Sequence, residues 1–93
     1  MDKEYKIKDG FVLQEIASKM MAVPIRERLY DVKGMVSLSE SGALLWKELL
    51  NGASIEKLTS VLVDNYDVTI DRAKEDVIKF IKYLEENNIL EEE

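Results

Sequence analysis

The side chains with chemistry to offer are few. The chain has no histidine and no cysteine. Their absence removes the commonest general base, thiolate nucleophiles, and imidazole or thiolate metal sites. It also removes any disulfide framework, a composition suited to a reducing cytoplasm. Asp64 with Asp67, and Glu75 with Asp76, would have to serve as metal ligands or as an acid/base pair. Asp67 sits in a break between helical segments, with no further carboxylate spaced to complete a hard-cation shell. Glu75 and Asp76 are neighbours on a helix and point about 100° apart. They read as a solvated face. Ser39, Ser41 and Thr69 have no base to activate them and read as helix caps. Gly10, Gly34, Gly42 and Gly52 are isolated, so no glycine-rich loop cradles a phosphate. Trp46 reads as a core anchor, and Met20 and Met21 as packing or hairpin surface. These residues point to binding rather than catalysis, with no metal and no cofactor.

The bulk composition agrees. The 93 residues, 46% hydrophobic and 34% charged, suit one ordinary domain with a small core. Net charge is −6, from 13 basic and 19 acidic residues. Residues 1–50 hold eight of each sign, whereas 51–93 hold five basic and eleven acidic. Neither half offers the concentrated positive surface that a phosphate backbone requires. No apolar run approaches the roughly 20 residues that span a bilayer. The start, Met1-Asp2-Lys3-Glu4, has no apolar signal segment behind it. The expected location is therefore the cytoplasm, away from membranes.

The elements that must position a binding surface fall in two blocks. The first third has the period of strands. Residues 11–16 and 20–25 are short apolar or β-branched runs, joined by Ala17, Ser18 and Lys19 as a hairpin connection. Pro24 cannot donate to a ladder and should end its strand or face solvent. Tyr5 and Ile7 alternate with lysines before the Asp9-Gly10 turn, as a short lead-in strand would. Arg26 to Tyr30 is a charged connection. Residues 32–38 then alternate, with Val32, Val36 and Leu38 on one face and Lys33, Met35 and Ser37 on the other. Gly34 adds either a tight turn or room for something to approach the strand.

The remainder has the period of helices. Ser39 caps a helix to about Leu50, in which Leu45, Trp46, Leu49 and Leu50 form one stripe and Asn51-Gly52 the stop. Ser54 caps a second, with Ile55, Leu58, Leu62 and Tyr66 on one side. Thr69 or Asp71 opens the longest helix, which runs to about Asn87 and carries Ala73, Val77, Phe80, Ile81 and Leu84 as its apolar stripe. Asn87-Asn88 is a left-handed stop, after which Ile89-Leu90 folds back. The expectation is an α+β fold of winged helix-turn-helix type: a three-stranded antiparallel sheet followed by three helices.

That fold suggests DNA binding, and a transcription regulator is the alternative reading. The long helix opposes it. It sets Arg72, Lys74, Lys79 and Lys82 against Asp71, Glu75, Asp76, Glu85 and Glu86, a surface that would repel a phosphate backbone. A polypeptide ligand fits better. The third strand is an edge unless something covers it, and it carries one Lys, no Pro and a Gly as guards. An extended segment could pair with it and lay alternate side chains toward the neighbouring helix. The competing reading is an edge that is simply short, or covered by the lead-in.

Three stretches resemble the PqqD-like proteins, also called RiPP recognition elements. They are Ile7-Lys8-Asp9-Gly10-Phe11-Val12-Leu13-Gln14-Glu15-Ile16-Ala17, running on into Met21-Ala22-Val23-Pro24; then Gly34-Met35-Val36-Ser37-Leu38-Ser39-Glu40-Ser41-Gly42-Ala43-Leu44-Leu45-Trp46; then Tyr66-Asp67-Val68 with Ala73, Asp76-Val77, Phe80 and Leu84. The likeness covers about Tyr5 to Leu90 and rests on the ordered combination. It departs at Ser39, where the family usually has Asn, and at Ser18, where the family often has Gly.

The resemblance implies a protein that binds the leader of a ribosomally made precursor peptide and presents it to a modifying enzyme, often a radical SAM maturase. The leader is expected as an added strand in a groove against the third helix. It would run along Lys33, Gly34, Met35, Val36 and Ser37. Arg72, Ala73, Asp76, Val77 and Phe80 are candidates for the helix wall, with Ala73, Val77 and Phe80 equally readable as plain core. Arg72 and Asp76 would select charged leader side chains. The leader's identity stays open, as does a homodimer formed by exchange of sheet elements.

Overall fold

The computed structural model of the protein describes residues 3–25 and 36–91. Strand β1 is Glu4–Tyr5, β2 Phe11–Ile16, β3 Lys19–Pro24 and β4 Val36–Leu38. Helix α1 (Glu40–Leu49), strand β5 (Ala53–Ser54), α2 (Ile55–Asn65) and α3 (Ile70–Glu86) complete the chain.

Each helix starts where a short polar side chain can satisfy a free backbone N–H. The Gly42 N–H donates to Ser39 Oγ at 3.1 Å, Lys57 N–H to Ser54 Oγ at 3.1 Å, and Arg72 N–H to Thr69 Oγ1 at 3.2 Å. Thr69, not Asp71, is the third cap. Helix α3 ends as its asparagines foretell. Asn88 adopts a left-handed φ of 64°, the Ile89 N–H donates to Leu84 O at 3.0 Å, and the Asn88 N–H to Glu85 O at 3.1 Å. That paired pattern is the Schellman stop. It turns Ile89 and Leu90 back into the core, where both are buried.

Strands β2, β3 and β4 form one antiparallel sheet with β3 in the centre. The hairpin loop is tighter than expected: Ile16 pairs with Lys19, so only Ala17 and Ser18 turn the chain. Both have positive φ, 52° and 67°. This is the geometry whose twist matches a two-residue hairpin. Pro24 ends β3, as anticipated. Ala22 pairs with Leu13 and Val36, and Met20 with Glu15 and Leu38, so these positions share one sheet face. That face turns toward the helices. Ala22, Val36 and Leu38 are buried, and Phe11, Leu13 and Met20 pack against the core. Val12 and Ile16, on the other face, are exposed.

The helices supply the opposing layer, centred on Trp46, Leu49, Leu58, Val77 and Leu84, each at most 1% exposed. Phe11 reaches Trp46 across the layers, edge to face at 5.5 Å between ring centroids. Burial of each large apolar side chain stabilises by about 1.5–3 kcal/mol.

The lead-in segment adds a second, two-stranded sheet. Glu4 pairs with Ser54 and Tyr5 with Ala53. Beyond it, Ile7 bridges to Leu90. The Ile7 N–H donates to Leu49 O at 3.1 Å, Lys8 N–H to Ile89 O at 2.9 Å, and Glu91 N–H to Lys6 O at 2.8 Å. Residues 4–8 thus bind the end of α1, the start of α2 and the C-terminal segment to one another. Gly52 lies under this strap with φ of 89°, a conformation that favours glycine.

Candidate functional site

Strand β4 is one of the two edges of the three-stranded sheet, β2 being the other, and it is the edge that leads directly into the first turn of α1. It pairs with β3 on one side, through Met20–Leu38, Met21–Ser37 and Ala22–Val36. Among the described residues no strand pairs with its other side. The lead-in does not cover it, because Glu4, Tyr5 and Ile7 are committed to Ser54, Ala53 and Leu90. An uncovered edge offers N–H and C=O groups to an extended chain. Of the strand residues marked from the sequence, Val36 is buried and faces the core, while Ser37 is exposed. Lys33, Gly34 and Met35 lie outside the described residues, as do Val32 and the charged connection before it.

Phe80 of α3 lies close to the junction of β4 and α1. A Cβ added to Gly42 would stand 3.4 Å from Phe80 Cε1 and 3.8 Å from Leu38 Cβ. Phe80 is half-buried and packs against the core cluster. It therefore offers part of its ring to solvent beside the strand-to-helix junction. Ala73 and Val77 are both fully buried, at 0% exposure. They lie on the inner face of α3, within the core. Arg72 and Asp76 lie on the flank, where Arg72 Nε stands 3.5 Å from Asp76 Oδ1, with side chains 69% and 45% exposed. An ion pair this open adds little stability and leaves both groups available to a ligand.

Two clefts flank the strand end. The larger, about 850 Å³, lies between the hairpin (Ser18 of the loop and Lys19 of β3), the end of β4 (Ser37, Leu38) and α1 (Leu44, Lys47). The smaller, about 300 Å³, lies between the first turn of α1 and the flank of α3. Leu62 and Val68 form its apolar lining; Ser39, Glu40, Ser41, Tyr66 and Asp76 add polar atoms. The Tyr66 hydroxyl donates to Glu40 Oε1 at 3.5 Å. Partial burial, then the nearby Glu40 charge, raise the Tyr66 phenol above its ordinary value of 10.0.

The sequence pattern does not mark this smaller cleft. Its walls come from three separate stretches, and each residue has a local explanation there: Ser39 as a cap, Glu40 as a charge favoured at a helix start, Tyr66 as the end of a helical stripe. The signal that could have found it is the recurrence of polar groups at the start of α1 and the end of α2, with Asp76 on the flank of α3.

No group of three or more metal-binding side chains occurs among the described residues. No helix among them is long and apolar enough to cross a membrane.

Residues 28–90 match the family model described as coenzyme PQQ synthesis protein D, PqqD. No curated protein matches the chain. Among solved structures, it is similar to TbiB1 in complex with the TbiA(beta) leader peptide, with a TM-score of 0.73 and 20% identity, over 95% of this chain and 96% of that one. It is likewise similar to a lasso peptide synthetase B1 complexed with the leader peptide, with a TM-score of 0.75 and 20% identity, over 97% of this chain and all of that one, 100%. At this identity the likeness establishes a shared fold.

Proposed function

Because the chain belongs to the PqqD family of coenzyme PQQ synthesis protein D, we propose that it is a non-catalytic, cytoplasmic adaptor for a ribosomally made precursor peptide. It captures the leader as a strand added to β4 and presents it to a modifying enzyme, for which a radical SAM maturase is the leading candidate. The 93 residues act as one domain, of the winged helix-turn-helix type. The observation that carries this reading is that, among the described residues, no strand pairs with the outer side of β4, the lead-in strand being committed to β5 and Leu90. Two proteins of the same fold bear leader peptides, which supports the same class of ligand here.

The energetics set the character of the complex. Each main-chain hydrogen bond adds about 0.5–1.5 kcal/mol net. Ordering a flexible leader costs about 2–5 kcal/mol. Strand β4 has three described residues, so its bonds barely offset that cost. Apolar anchors must supply the rest, at about 1.5–3 kcal/mol each. Phe80, half-buried beside the end of β4, is where one of them would dock. The sum leads to affinity near the micromolar range, about −8 kcal/mol. Main-chain pairing sets register, and side-chain pockets set selectivity.

Proline scanning tests this. Strand alternation directs only one of two consecutive N–H groups outward. Proline at whichever of Val36 and Ser37 turns its N–H outward should therefore abolish leader binding in a protein that remains folded, while proline at the other strikes the pairing with β3. Unchanged affinity for both folded variants removes β4 as the docking strand. The alternative, a DNA-binding regulator, requires α3 to approach phosphates with more acid than base. A gel shift with random duplex at low salt would reveal it, since unspecific electrostatic binding appears there first.

A further inference from the structure

We propose that the smaller cleft, between the first turn of α1 and the flank of α3, receives a lysine or arginine side chain of the bound leader. This rests on the strand-addition reading above and adds a charge preference to it.

The cleft continues the docking edge. Leu38 closes β4, and Ser39, the next residue, already lines the cleft. On α3, Phe80 stands beside Leu38 and Gly42, and Asp76 lies one turn earlier in the cleft wall. A peptide paired along β4 and continuing past Leu38 therefore runs onto it.

Its chemistry selects a long basic side chain. Leu62 and Val68 give an apolar lining for a methylene stem. Glu40 from α1 and Asp76 from α3 present carboxylates from two different walls. Neither is strongly engaged. Glu40 is met by the Tyr66 hydroxyl at 3.5 Å, and Asp76 by the exposed Arg72 Nε at the same distance. A guest ammonium or guanidinium can bridge the two carboxylates while Arg72 swings into solvent. An acidic leader residue meets like charge, and an apolar one would desolvate both carboxylates without a partner. The chain's net charge of −6 adds a long-range bias in the same direction.

The test uses a displayed library of random 20-residue peptides, selected separately against the wild-type protein and against Glu40→Gln/Asp76→Asn. The single variants Glu40→Gln and Asp76→Asn, each checked by circular dichroism, stand in if the double variant does not fold. Peptides retained for scoring are those whose binding is lost on proline substitution in β4. The expected result is a wild-type pool with apolar anchors and a Lys or Arg at one fixed distance from them. The variant pool keeps the anchors and loses the basic position. Replacing that residue by Gln in a synthetic peptide should weaken wild-type binding about fivefold and variant binding not at all. Pools with anchors but no basic preference, or with the same preference in both proteins, overturn the charge selection and leave strand addition standing. Failure of the wild-type protein to enrich any such peptide removes both.

Discussion

Gly42 and Phe80 meet across the junction of β4, α1 and α3: a Cβ at Gly42 would lie 3.4 Å from Phe80 Cε1 and 3.2 Å from the capping Ser39 Oγ. The absent side chain lets α3 draw close to the first turn of α1 and places the Phe80 ring beside the open strand. Alanine here gains helix propensity of about 1 kcal/mol and crowds two neighbours that must each give slightly. We expect Gly42→Ala to remain within about 1 kcal/mol of the parent. Gly42→Val overpacks the junction and should cost about 1–3 kcal/mol, while weakening peptide binding by displacing Phe80. Urea denaturation and peptide titration of both variants check this.

Ala17 and Ser18 both hold left-handed backbone in the hairpin loop, with φ of 52° and 67°. Such a conformation costs a non-glycine residue about 1–3 kcal/mol. Glycine would relieve it and return about 0.5–1 kcal/mol of that as unfolded-chain entropy. Ser18→Gly should therefore raise stability by up to about 2 kcal/mol, read as a higher urea midpoint with an unchanged slope. A lower midpoint would contradict the turn geometry.

Ile7 is 2% exposed and lies in the strap between α1 and the C-terminal segment. Ile7→Ala should cost about 2–5 kcal/mol. The strap does not touch the pairing of β4, so affinity for a bound peptide, measured where the variant is still folded, should hold. A large affinity loss in folded Ile7→Ala protein would mean that the lead-in contributes to the site.

Much of the fold is legible in the sequence wherever the determinant is local. Ser39, Ser54 and Thr69 cap because their oxygens reach an N–H three residues on. Asn88 stops α3 because its short polar side chain tolerates left-handed backbone. The Val36 and Leu38 alternation places both inside and Ser37 outside. What escapes is non-local. The alternation of Tyr5 and Ile7 marks a lead-in strand, but its partners do not show: the pairing of Glu4–Tyr5 with Ala53–Ser54, and of Ile7 with Leu90, joins segments far apart in the chain. Ala73 and Val77 share a stripe with Phe80, and only the packing separates two buried residues from one half-exposed ring. The cleft of Glu40, Tyr66 and Asp76 is hidden for the same reason.

The Tyr66 phenol is raised above 10.0 by partial burial and by Glu40. A raised value means the folded state holds the proton more tightly than the unfolded chain. Its contribution to stability is thus fully present below pH 10.0 and is lost as pH climbs through the folded value. Tyr66→Phe should lose less stability than the parent above pH 10, and Glu40→Gln should shift the Tyr66 ultraviolet titration back toward its ordinary value. An unmoved titration in Glu40→Gln would show that the carboxylate does not act on the phenol.

Strand addition at β4 is tested most directly by intermolecular NMR contacts between isotope-labelled protein and an unlabelled binding peptide. The account predicts backbone cross-strand contacts from the peptide to Val36, Ser37 and Leu38, with slowed amide exchange on that side of the strand and side-chain contacts to Phe80. A bound peptide whose contacts fall elsewhere, with the β4 amides unchanged, would contradict it.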